Sequence, residues 1–80
     1  MAITLEPIRL DAPFGDNEGM LAKRDECLIA VLSRLGELHG DLIGHWFVEA
    51  IFTSGVVKVG HVFPDLQAFE ARAEAGLNSL

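Results

Sequence analysis

Few residues of this chain could hold a metal or attack a carbonyl group. Cys27, His39, His45 and His61 are its only soft metal ligands. Zinc requires three or four such groups converging at about 2.0–2.3 Å. The paired close spacings of zinc fingers and the two-histidine helical motif of metallohydrolases are both missing. His39 therefore reads as a turn residue, His45 as a surface residue and His61 as semi-buried and hydrogen-bonded. Cys27, followed by Leu28-Ile29-Ala30, reads as a buried, inert thiol rather than a nucleophile. Ser33 and Ser54 lack the glycine-flanked strand-to-helix elbow of serine hydrolases. Gly36, Gly40, Gly44, Gly55 and Gly60 are scattered as turn and bulge formers, without the spacing of a phosphate loop. Glu37 and Asp41 read as solvated loop carboxylates. No catalytic residue, metal or cofactor is expected, and an enzyme of this size would have to build its pocket between subunits.

The elements that would position any site come from a chain of 80 residues, enough for one domain (1–80) with a single small core. Half of the residues are hydrophobic, which argues against disorder. A domain of this size buries only about 60–70% of the surface its unfolded chain exposes, so some apolar surface is expected to meet a second subunit or a partner. Twelve acidic against six basic residues give a formal charge of −6. Nucleic-acid affinity rests on Lys and Arg displacing counterions, so no nucleic-acid partner is expected. A single cysteine forbids an internal disulfide. With no leader-like or membrane-length apolar run, a cytoplasmic protein without a membrane partner is expected.

Along the chain, Ile3, Leu5, Ile8 and Leu10 alternate with polar residues around Pro7. This reads as an N-terminal arm or edge strand (1–18), ending in the turn cluster Pro13-Phe14-Gly15-Asp16-Asn17. Residues 19–38 fit two readings. As a helix they place Leu21, Leu28, Val31, Leu32 and Leu35 on one face. As strands they divide into Met20–Lys23, a turn at Arg24-Asp25-Glu26, and Cys27–Leu35, with β-branched Ile29 and Val31 in favour. Periodicity alone slightly favours the helix.

The segments Asp25-Glu26-Cys27-Leu28-Ile29-Ala30-Val31-Leu32, His39-Gly40-Asp41-Leu42 and Gly44-His45-Trp46-Phe47-Val48-Glu49-Ala50 resemble a family of small uncharacterised bacterial proteins. In that family the first segment usually reads as Asp-Gly turning into a strand, a hairpin signal; here Glu26 stands at the glycine position. The resemblance implies strands over 19–35 and no known activity.

Leu42–Phe52 and Val56–Phe63 then read as strands joined at Thr53-Ser54-Gly55. Pairing Trp46 with Phe63, and Leu35 with Leu42, places Trp46, Val48, Ala50, Phe52, Val57, Val59, His61, Phe63, Ile29 and Val31 on one face. The other face carries Leu28, Ala30, Leu32, His45, Phe47, Ile51 and Val62, with Glu49 diagonal to Lys58. Asp65 is a helix N-cap before Leu66, Phe69, Ala73 and Leu77, with Gly76 as a stop signal.

The expected architecture is α+β: an antiparallel β-meander of three to four strands (19–63) with one C-terminal helix (65–77) packed on one face. The alternative, with 19–38 helical, is helix–hairpin–helix. The expected function is a non-enzymatic interaction module, a homodimer joined through Leu32, Phe47, Ile51 and Val62. A second reading is an acidic regulator binding a basic protein partner, using Glu6, Asp11, Asp16, Glu18, Asp25 and Glu26. A third is a ligand-binding protein or enzyme with His45, Glu49 and Arg34 at an intersubunit pocket.

Overall fold

The computed structural model describes residues 3–11, 17–53 and 55–78, apart from the Leu38 side chain. Five strands form one antiparallel sheet in chain order: β1 (Thr4–Arg9), β2 (Glu18–Arg24), β3 (Cys27–Arg34), β4 (Trp46–Ile51) and β5 (Val62–Phe63). One helix, α1 (Leu66–Asn78), follows. This is the expected α+β arrangement. The N-terminal segment is an edge strand, where Pro7 costs no interior ladder bond. The turn cluster expected at residues 13–16 lies outside the described residues, as does Ser54. No described helix is long and apolar enough to cross a membrane.

Residues 18–34 form a hairpin. Its two-residue turn, Asp25-Glu26, has positive φ at both positions (52° and 70°). That is the signature of a type I′ turn, whose twist matches the flanking strands. Glu26 adopts there the left-handed conformation that glycine enters more easily.

Between β3 and β4 the expected register fails. Leu42 is not in a strand; it ends a pair of 3-10 turns over Glu37–Leu42, broken at Gly40 (φ 57°). The loop closes through Leu35 N–H donating to the His45 carbonyl (2.8 Å) and Gly44 N–H donating to the Leu35 carbonyl (2.8 Å). Arg34 therefore pairs with Trp46, and Leu32 with Val48. That displaces β3 by three residues from the expected pairing. An odd displacement exchanges the faces of a strand, so Leu32 and Ala30 enter the core and Val31 faces away. Two irregularities in the ladder modify the alternation. One leaves Ile29 as the extra residue opposite Ala22/Lys23, the other leaves Glu49 as the extra residue opposite Val31/Leu32. Such bulges let adjacent residues share a side, and Ile29 joins Ala30 in the core.

The second expected strand, Val56–Phe63, is only Val62–Phe63, and Trp46 pairs with Phe63 as the alternation required. Residues 56–61 instead form a loop that buries Val56 and Val57 and leaves Val59 exposed; Phe52, expected inside, is exposed too. The core lies between the sheet and α1: Ala22, Ile29, Ala30, Leu32, Trp46, Val48 and Phe63 meet Phe69 and Ala73. Phe69 packs edge-on against Phe63, with ring centroids 5.6 Å apart, a favoured aromatic geometry. Asp65 caps the helix as expected, its Oδ1 accepting from Ala68 N–H at 2.7 Å. Gly76 does not terminate the helix. It lies inside α1, buried against the backbone of Gly55-Val56.

Candidate functional site

The side chains that could do chemistry are dispersed. Cys27 is exposed at the start of β3, not buried, because the hairpin turn immediately before it projects from the sheet. His39 lies in the 3-10 segment, and His45 lies just before β4. His61 is exposed and stacks on Phe63 at 4.2 Å. Among the described residues no three metal-capable groups come together. The Ser33 hydroxyl is fully buried and donates to Glu49 Oε2 at 2.6 Å. Ser33 sits between Gly19 and Phe47 in the ladder. The Leu10 side chain packs where a Gly19 Cβ would be, so this hydroxyl braces Glu49 rather than facing a substrate.

The acidic residues do not gather on one surface. Glu6 pairs with Lys23 at 2.9 Å, Glu18 lies 3.7 Å from Arg34, and Asp25 and Glu26 form the hairpin tip. Asp16 lies outside the described residues. The trio His45, Glu49 and Arg34 does not converge either. Arg34 leans toward Glu18 while Glu49 is held by Ser33 on the reverse side of β3.

Two surfaces are larger than the small cleft of about 130 Å³ between the 55–58 loop and Arg72. The first is the sheet face turned away from α1, here the open face. By register it carries Leu21, Val31, Phe47, Ala50 and Val62, all half-buried, together with Ile8, which is exposed. Phe47 and Val62 are direct cross-strand partners. Of the four residues expected at an interface, these two lie on the open face. Leu32 is fully buried in the core, and Ile51, paired with Ala30, packs against the core on the helix side. The register displacement moves Leu32, and the Glu49 bulge moves Ile51. The open face also carries charge at two places. Glu49 stands on β4, and the Lys23–Glu6 ion pair stands across β2 and β1.

The second surface is a groove of about 380 Å³ on the helix side, lined by Pro7, Ile8, Arg9, Glu18, Gly19, Met20 and Trp46. Pro7 pairs with Met20, and Arg9 with Glu18. Sequence reasoning did not find it, because Trp46 lies more than 25 residues from the β1 and β2 residues that line it and meets them only through the ladder. No protein-family model, curated protein sequence or solved structure matches the chain.

Proposed function

We propose that the chain is a small non-enzymatic interaction module that pairs with a second copy of itself through the open face. One observation carries this reading. The half-buried Leu21, Val31, Phe47, Ala50 and Val62 lie on one sheet face, around the Ser33–Glu49 pair, against which no described strand or helix packs. Such faces mark association surfaces, and closed two-fold dimers are the commonest outcome.

Charge supports a particular pairing. A two-fold axis lying in the interface along β3 sets β2 of each copy over β4 of the other. Glu49 then meets the partner's β2 at the level of Met20–Leu21, two residues (about 7 Å) from Lys23. A lysine side chain spans that distance. An axis across the strands would instead oppose Glu49 to its own copy. Four strands of six to eight residues at about 4.8 Å spacing, with the two-residue β5 at the edge, offer roughly 400 Å² in plan on each copy. That is about half the area per partner of a standard specific interface, so a weak association, micromolar at best, is expected.

Light scattering coupled to size exclusion, across a concentration series, tests this. A monomer–dimer equilibrium is expected, abolished by Phe47→Glu while the variant keeps a cooperative melt. Glu49→Lys should weaken the dimer, and adding Lys23→Glu should restore it. A monomer at every concentration, or an unchanged dimer in Phe47→Glu, overturns the reading.

A further inference from the structure

The helix side of the sheet is not fully covered. The core cluster around Ile29, Leu32, Val48 and Phe69 occupies the part beneath α1. Beyond it, toward the Arg9–Glu18 end of the β1–β2 pair, the groove remains. Its volume of about 380 Å³ falls in the range of small-molecule sites. Pro7, Met20 and the edge of Trp46 supply apolar contacts: a pyrrolidine ring, a flexible thioether and an indole. Methionine and tryptophan together favour a flat, polarisable guest.

The rim sets the sign of the ligand. Arg9 stands opposite Glu18 in the ladder, yet the carboxylate has its ion pair with Arg34, Nη1 to Oε2 at 3.7 Å. Arg34, the cross-strand partner of Trp46, also reaches toward Gly44, with Nη2 3.6 Å from where a Cβ on that glycine would stand. The Glu18 carboxylate is thus taken by Arg34. Arg9 has no ion pair of its own among the described residues. Arg9 is therefore the cation at this rim without an ion pair, with Asp11 two residues further along the chain. At physiological salt, charges beyond about 8 Å are largely screened, so groups at the rim govern recognition rather than the net charge of −6.

We infer that this groove binds a small planar carboxylate, with its ring against Met20 and Trp46 and its carboxylate on Arg9. The geometry of guanidinium and carboxylate suits paired hydrogen bonds. This inference is independent of the self-association reading, since the groove and the open face lie on opposite sides of the sheet.

Trp46 is the only tryptophan and lines the groove, so its fluorescence is a direct reporter. The intact chain is titrated with para-nitrobenzoate and, separately, with its neutral analogue para-nitrobenzamide. Saturable quenching by the carboxylate is expected, with binding at least about tenfold tighter than the amide, as loss of a charge-assisted hydrogen bond implies. Arg9→Gln should remove that preference. Glu18→Gln, which removes the negative charge opposite Arg9 in the ladder, should strengthen it. Both positions are exposed, so each variant is first checked for an unchanged melt. Equal, non-saturating quenching by both compounds would overturn the inference. So would a preference for the acid that survives Arg9→Gln.

Discussion

Replacing Gly76 by alanine should destabilise this protein, although the same change in a helix ordinarily stabilises it. In the body of a helix alanine is favoured over glycine by about 1 kcal/mol, and somewhat less near an end. Gly76 is the eleventh residue of the thirteen in α1, so a gain of about 0.5 kcal/mol is the baseline. Against it stands the docking of the helix on the loop. A Cβ at position 76 would lie 2.9 Å from Val56 Cα, 3.1 Å from the Val56 carbonyl oxygen and 3.4 Å from the Gly55 carbonyl oxygen. Unstrained carbon contacts are about 3.5–4.0 Å. These neighbours are backbone atoms, so no side-chain rotation relieves the overlap; either the helix or the 55–56 loop must move. Overpacking of this kind costs about 1–3 kcal/mol, and the backbone contact places it in the upper half of that range. The net expectation is a loss of about 1.5–2.5 kcal/mol, or roughly 6–20 °C in Tm for a domain of this size. Urea denaturation monitored by circular dichroism measures it. Ala71→Gly, at an exposed helical position, calibrates propensity alone and should cost about 1 kcal/mol. A Gly76→Ala variant as stable as the parent, or more so, would refute the close approach of α1 to the loop.

Two further changes probe local structure. Glu26→Gly should raise stability by about 0.5–1 kcal/mol, because glycine relieves the positive-φ strain but loses more chain entropy on folding; a fall in the denaturation midpoint would contradict the turn. Asp65→Ala should cost about 1 kcal/mol through loss of the bond to Ala68 N–H, while Asp65→Asn retains most of it. Equal losses in the two variants would show that the carboxylate charge, not the cap, is what matters.

Parts of this fold were legible in the residues because their causes are local. Asp65 after Pro64, with Leu66, Phe69, Ala73 and Leu77 at helical spacing, announced α1 and its cap. Pro7 within an alternating segment fitted the edge position that β1 occupies. The hairpin over 18–34 competed with a helical pattern that periodicity slightly favoured. Asp25-Glu26 lacks the glycine that usually marks such a turn, so turn chemistry did not correct it. Cys27 reads as buried because Ile29 and Ala30 beyond it are core residues, yet it stands directly after the turn and is exposed.

The composition and patterning determined a small apolar domain with an N-terminal edge segment, a strand through Trp46–Ile51 and a capped C-terminal helix, since propensity and capping act within a few residues. The tertiary structure alone decided which apolar residues became core. The Gly36–His45 loop set the displacement of β3 against β4, and two bulges adjusted it; together they placed Leu32 and Ile51 inside while Phe47 and Val62 stayed on the open face. Register depends on loop length and bulges that side-chain alternation does not encode, and a shift by an odd number of residues turns every side chain of a strand to the other face. The groove beside Trp46 has the same origin: Arg9, Glu18, Arg34 and Trp46 become neighbours only once four strands are aligned.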